Sequence, residues 1–328
     1  MPVTRVKPGR RPHGSKVDRV AKRIARFARS GNQKTAFVLA GGGSLGAVQV
    51  GMLKALLAHK IVPDLVVGAS VGAINGAYFS GHPTRKGVAE LERIWLRIHQ
   101  DDVFPVSVPS GVAALFGRRN YLVEPDGLMR LIASLLPFKD FRDSKLPCHV
   151  VTTDIYNGRD ITFSEGDAHK AVLASASIPA VFPPVQYGDR FLVDGGVASN
   201  TPIATAVALG ASRVIVLPTG FSCSIEEAPH TIVAMALHGL NLMIMKQLMR
   251  DTELNAKKAE IIIVPPLCPV EVTPYDFSQT ATLIERAEHA TGVWLKLGGM
   301  ESRDIPHELV PHHDEDDPDF PYLTPQPG

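Results

Sequence analysis

Gly68-Ala69-Ser70-Val71-Gly72 sets one serine between two glycines, directly after the apolar run Leu65–Ala69 and before a stretch with helical spacing. In that setting GxSxG marks a sharp strand-to-helix turn that lifts a serine hydroxyl clear of a sheet edge, where it can act as a nucleophile. Flanking glycines relieve the sterics of the turn, and the helix behind it offers free N–H groups to a developing negative charge. Without that context the pentapeptide is an ordinary turn of small residues. A second junction, Gly41-Gly42-Gly43-Ser44-Leu45-Gly46, follows the run Thr35–Ala40. Its backbone N–H groups can approach an oxyanion closely, and loss of one such donor commonly costs about 3 kcal/mol of barrier. Gly41, Gly43 and Gly46 also satisfy GxGxxG, a dinucleotide fingerprint. That reading needs an acid at the end of the second strand. Asp64 stands before that strand and Ser70 at its end, so the dinucleotide reading is set aside. The third feature is Asp194-Gly195-Gly196 after Phe191-Leu192-Val193, a carboxylate at a strand end with room for another loop to come close. Alone, it also describes a simple Asp-Gly turn.

A Gly-rich strand–helix turn, a GxSxG about 25 residues later and a distant Asp-Gly-Gly, in that order, resemble the patatin-like phospholipase family. The stretch from Ala174 to Pro184 (ASASIPAVFPP), Thr152-Thr153-Asp154 and Asn200-Thr201-Pro202 are similar to it too, and the likeness covers about residues 35–300. The resemblance implies an α/β fold, a three-layer α/β/α sandwich with a mainly parallel sheet. It implies a catalytic dyad of Ser70 as nucleophile and Asp194 as general base, with Gly41, Gly42 and Gly43 as oxyanion donors. Gly46, Gly68, Gly72, Gly195 and Gly196 would be the motif glycines. The expected reaction is hydrolysis of lipid carboxylic esters (phospholipase, lysophospholipase or acylglycerol lipase type) through an acyl-enzyme, with neither cofactor nor metal. Family members often carry Arg or Lys just before the last glycine of the first motif. This chain has Leu45 there, so a taste for charged headgroups is not implied.

Two other readings stay open at this point. One is an α/β-hydrolase triad in the order serine, acid, histidine, for which His230, His238, His289 and His307 lie downstream of Asp194. The other is a non-catalytic lipid-binding protein on the same fold. His312-His313-Asp314-Glu315 lies in an acidic, Pro-rich tail and reads as a solvated segment before it reads as a metal site.

The elements that must position these residues alternate strand and helix, which indicates an α/β domain. Strands are expected at Thr35–Ala40, Leu65–Ala69, Val150–Asp154, Arg159–Phe163, Phe191–Val193, Arg213–Leu217 and Glu260–Val264. Helical spacing covers Ala47–His59, Leu91–His99, Leu128–Leu136, Ile232–Met249 and Leu283–Leu297. Asn157-Gly158 suits a type I′ hairpin turn. Residues 101–120, with little periodicity, could be a lid or a surface loop. The Met-rich stretch 231–249 reads as a buried core helix before it reads as an acyl-chain surface.

The 328 residues, 45% hydrophobic and 20% charged, are those of a globular chain with a sizeable core. The catalytic domain is expected at 35–300, between a basic arm at 1–34 and an acidic, Pro-rich tail at 301–328. The arm carries eleven Lys or Arg and one acid, Asp18; residues 301–328 carry eight acids and one base, Arg303. Val17, Val20, Ala21, Ile24, Phe27 and Ala28 make residues 16–30 a short basic amphipathic helix that could contact an anionic membrane or simply pack. Interleaved aromatics are lacking, so nucleic acid is not an expected partner. Cys148, Cys223 and Cys268 form no CxxC pair and suggest neither a disulfide framework nor a zinc site. With no apolar stretch behind the basic N-terminus and no long apolar run, the expected location is cytoplasmic, with or without peripheral membrane contact.

Overall fold

The apolar runs become eight strands: β1 (Thr35–Leu39), β2 (Leu65–Ala69), β3 (Cys148–Asp154), β4 (Asp160–Phe163), β5 (Val185–Tyr187), β6 (Arg190–Asp194), β7 (Arg213–Leu217) and β8 (Glu260–Ile263). The helices are α1 (Gly46–Ala58), α2 (Val71–Gly81), α3 (Arg85–Trp95), α4 (Gln100–Val103), α5 (Asp126–Leu135), α6 (Ala168–Ser175), α7 (Gly196–Ser199), α8 (Ile203–Ala208), α9 (Ile232–Asn255) and α10 (Thr280–Lys296). This computed structural model describes residues 33–105, 120–220, 232–268, 270, 272–302 and 306. Residues 1–33 separate as a unit of their own; except for Gln33 they lie outside the described residues. The amphipathic segment at 16–30, most of the 101–120 segment and nearly all of the acidic tail are therefore outside them too.

All eight strands join one sheet. The β1, β2, β3, β7 and β8 strands run parallel, while β4 and β6 pair antiparallel with β3, and β5 with β6. Side chains alternate between two apolar layers, as the two-residue period of a strand requires. In β1, Phe37 and Leu39 join one layer while Ala36 and Val38 join the other; β7 and β8 divide the same way. Helices α1, α2, α3, α5, α6 and α10 cover the first layer and α8 and α9 the second. That is the expected three-layer sandwich. No helix among the described residues is long and apolar enough to cross a membrane.

The register around β3 brings the site together. Val150 pairs with both Gly68 of β2 and Phe163 of β4, so β2 and β4 lie on opposite sides of β3. Thr152 pairs with both Ile161 of β4 and Asp194 of β6, so β6 lies on the β2 side. Hence β2 runs along the first half of β3 and β6 comes back along its second half. The two meet end to end, Ala69 opposite Val151 and Asp194 opposite Thr152. Both chains must turn out of the sheet at that point.

Several expectations differ in detail. The β3–β4 hairpin forms, but its connection is not a type I′ turn, because only Gly158 has a positive φ. The carbonyl of Asp154 accepts from Gly158 N–H, and its carboxylate captures Tyr156 N–H, which opens a longer loop. Helix α3 starts at Arg85, well before Leu91, because the Thr84 hydroxyl caps it by accepting from Gly87 N–H. Helix α9 is not a buried core helix: Leu248 is buried, but Met235, Leu242 and Met243 are exposed. Cys268 is disulfide-bonded, although the sequence suggested no disulfide framework, whereas Cys148 is free and buried.

Candidate active site

Ser70 sits where β2 gives way to α2, with φ 54° and ψ −128°. A side chain in that region costs on the order of 1–3 kcal/mol of backbone strain, so other contacts must hold it. The Ser70 N–H donates to Ser175 Oγ at 3.0 Å, and that hydroxyl in turn donates to the Val151 carbonyl at 2.6 Å. The end of α6 is thereby tied to both the serine turn and β3. A side chain at Gly68 or Gly72 would strike neighbouring backbone, Gly72 O in the first case and Leu39 O in the second. The glycines are present for close approach.

The Ser70 hydroxyl donates to Asp194 Oδ2 at 2.7 Å, and the other carboxylate oxygen accepts from Gly196 N–H at 2.7 Å. Asp194 is 5% exposed and Ser70 7%. Two backbone bonds, Asp194 N–H to Ser177 O and Gly195 N–H to Ser175 O, fix the Asp194 loop, and the Thr153 hydroxyl donates to Asp194 O. Burial pushes the Asp194 carboxyl up to about 6, against the opposing pull of its bonds from Ser70 and Gly196. Among the described residues no histidine is a partner of Asp194. Of the four considered, His289 is exposed on α10; His230, His307 and the side chain of His238 lie outside the described residues. His312 and His313 lie outside them too. Asp64 accepts from Thr35 N–H at the start of β1, the sheet edge opposite Ser70.

Gly41, Gly42 and Gly43 pass beside Ser70; a Cβ on Gly41 would stand 2.9 Å from Ser70 Cβ. The three are not equivalent. The Gly41 N–H donates to the Asn200 carbonyl at 3.1 Å, and its own carbonyl accepts from Thr219 Oγ at 2.7 Å. Among the described residues the N–H groups of Gly42 and Gly43 have no acceptor. Of the three expected donors, Gly41 thus has its N–H engaged within the fold. Under this turn runs a buried polar chain: Trp95 Nε1 donates to Asn75 Oδ1, Asn75 Nδ2 to Gln49 Oε1, and Gln49 Nε2 to the carbonyls of Ala40 and Leu217.

Beside Ser70 opens a narrow apolar cavity of about 50 Å³. Gly43, Ser70 and Ala176 stand in its wall with Val71, Ile74, Ile98, Leu128, Leu135, Phe104 and Phe277; apart from the Trp95 indole N–H, which Asn75 engages, the Ser70 hydroxyl is the one polar side-chain group in the lining among the described residues. Leu45, where family members often carry a cation, is buried in the core. Ser175, Asn200, Thr219, Asn75 and Gln49 were not singled out by sequence. Ser175 and Asn200 fall in stretches that carry the family resemblance, which was the available signal; Gln49 and Asn75 lie in apolar helices with nothing to mark them.

The family model for patatin-like phospholipase matches residues 37–207. Patatin-like phospholipase domain-containing protein 7 of Rattus norvegicus is 30% identical over 219 residues, 66% of this chain and 15% of that protein. Lysophospholipase NTE1 of Debaryomyces hansenii is 28% identical over 222 residues, 64% of this chain and 13% of that protein. The chain thus spans only about a seventh of the length of these relatives. The crystal structure of VipD from Legionella pneumophila aligns at a TM-score of 0.43 and 14% identity, covering 81% of this chain and 67% of that one. With more than half of its residues inside the family model, the chain belongs to the patatin-like phospholipase family.

Proposed function

We propose that the chain hydrolyses carboxylic esters of lipids with Ser70 as nucleophile and Asp194 as general base, and that residues 35–300 form the catalytic unit. The observation that carries this is the 2.7 Å bond between Ser70 Oγ and Asp194 Oδ2 at the wall of an apolar cavity. Ser70 Oγ attacks the ester carbonyl carbon while its proton passes to Asp194. The carbonyl oxygen, now anionic, is received by the N–H groups of Gly42 and Gly43, next to the start of α1. Collapse breaks the ester bond; the alcohol leaves with the proton from Asp194, and the acyl group stays on Ser70. A water then gives a proton to Asp194 and attacks the acyl carbon, releasing the fatty acid and restoring the Ser70 hydroxyl.

A carboxylate with a pKa near 3.9 is a weak base at neutral pH. Burial, which raises Asp194 to about 6, brings it closer to the serine it must deprotonate. The cavity suits an acyl chain because an apolar lining offers nothing to a polar group and gains from burying methylenes. Lipid ester hydrolysis is also what the names of the relatives suggest.

Labelling by a fluorophosphonate probe, with ester hydrolysis followed in parallel on wild type, Ser70→Ala and Asp194→Asn, tests the reading. Labelling should vanish with Ser70→Ala, and hydrolysis should fall at least about a thousandfold in both variants. A wild-type protein that neither labels nor hydrolyses any lipid ester would favour the lipid-binding reading instead.

A further inference from the structure

Helix α9 has an outer face that is graded along its length. From residue 232 to residue 245 the sequence contains no Asp, Glu, Lys or Arg; Lys246 and Arg250 follow within the next two turns. At 100° per residue, Met235, Gly239, Leu242, Met243, Lys246 and Arg250 fall within about 100° of one another. Ile244, Met245 and Leu248 project from the opposite side and pack on the second apolar layer. The outward side should therefore be polar. Instead Met235 is 49% exposed, Leu242 45% and Met243 70%, with exposed Lys246 and Arg250 next below them.

The direction of the helix places this face. Gln247 Nε2 donates to the Ala198 carbonyl, and Gln247 Oε1 accepts from Asn200 N–H, so α9 passes the loop that follows Asp194 at this level. It ends at Asn255, close before β8 enters the sheet opposite the start of β7. Going backwards from Gln247, the uncharged part rises about 20 Å at 1.5 Å per residue. It does so past the strand ends where Ser70 and Asp194 lie. Asp251 and Glu253 come below the cations, further from that edge.

We propose that the outer face of α9 is a lipid-docking surface, with the uncharged part in the acyl region of a phospholipid bilayer and Lys246 and Arg250 at the phosphates. The order of apolar residues first and cations one turn later follows the depth profile of a membrane interface. A protein partner or a second copy of this chain would not require that order. Docking in this way turns the Ser70 edge towards the lipid. The surface is made of other residues than the basic arm at 16–30, and its binding can be read without any ester turnover.

Flotation of the full chain with vesicles of phosphatidylcholine, alone or mixed with phosphatidylglycerol, tests it. Leu242→Asp with Met243→Asp should lower partitioning at least tenfold on both vesicle types. Lys246→Glu with Arg250→Glu should weaken binding to the anionic vesicles severalfold and spare more of the binding to the neutral ones. Circular dichroism and hydrolysis of a water-soluble short-chain ester report whether the variants are folded. Partitioning of the folded double-Asp variant within twofold of wild type overturns the proposal. So does a change of oligomeric state with partitioning unaltered, which would assign the face to a second copy.

Discussion

Burial lifts the Asp194 carboxyl from 3.8 to about 6, and this acts on activity and on stability in opposite senses. Its folded pKa is raised above the unfolded value, so between these pH values the native state holds more protons. The associated stability is fully present below about pH 4 and is lost as pH rises through 6. A displacement of about two units, at 1.36 kcal/mol each, makes the ionised carboxylate cost about 3 kcal/mol at pH 8. Asp194→Asn keeps an oxygen for Gly196 N–H and removes the charge. We expect it to melt several degrees above wild type at pH 8, with the difference closing towards pH 4, while hydrolysis is lost. Thermal melts across that range would check this; a lower melting temperature at pH 8 would contradict the buried-charge account. In wild type, kcat/KM should fall about tenfold per unit below pH 6, because only the ionised form accepts the Ser70 proton. Ser70 and Asp194 stood out in the sequence because their motif neighbours are fixed by local backbone demands. The inequality of the three glycines was not readable, since the acceptor of Gly41 N–H belongs to Asn200, 159 residues away.

At the scale of elements, the serine turn is held from outside itself. One hydroxyl, Ser175 at the end of α6, accepts from Ser70 N–H and donates to Val151 O. Ser175→Ala leaves both groups unpaired inside the protein, a cost of about 1–3 kcal/mol, and frees a residue whose φ of 54° needs restraint. The expected outcome is a fall in kcat of roughly ten- to a hundredfold with KM changed by less than threefold, since the cavity wall is not touched. Steady-state kinetics on a soluble ester would show it; a rise in KM with kcat intact would mean that Ser175 shapes the cavity instead. The long parallel strands were legible as apolar runs, because buried strands of an α/β sheet carry apolar residues on both faces. The β5 strand, three residues long, and the short helix α8 behind Pro202 offer too few residues for periodicity to register. The antiparallel return of β6, which delivers Asp194 to Ser70, left no local trace. It follows from pairing with β3, and pairing partners are not written in a strand's own composition.

For the whole molecule, charge and apolarity are distributed in ways that separate two contributions to lipid binding. Residues 1–34 carry eleven cations and one acid. Attraction of such an arm to anionic lipid is screened as the Debye length shrinks from about 10 Å at 0.1 M salt to about 3 Å at 1 M. The outer face of α9 draws mainly on apolar burial, which salt does not screen. The full chain should therefore lose affinity for anionic vesicles as salt rises and then reach a plateau. A chain that begins at Lys34 should bind near the plateau value already at low salt, with a much flatter dependence. Combining that truncation with Leu242→Asp and Met243→Asp should abolish binding, because the two contributions have different physical origins. Flotation at several salt concentrations measures each term. If deleting the arm leaves the salt dependence unaltered, the cations that matter are on the body, with Lys246 and Arg250 the first to test. If deletion alone removes binding at every salt concentration, the arm is the membrane anchor and the exposed face of α9 has another purpose.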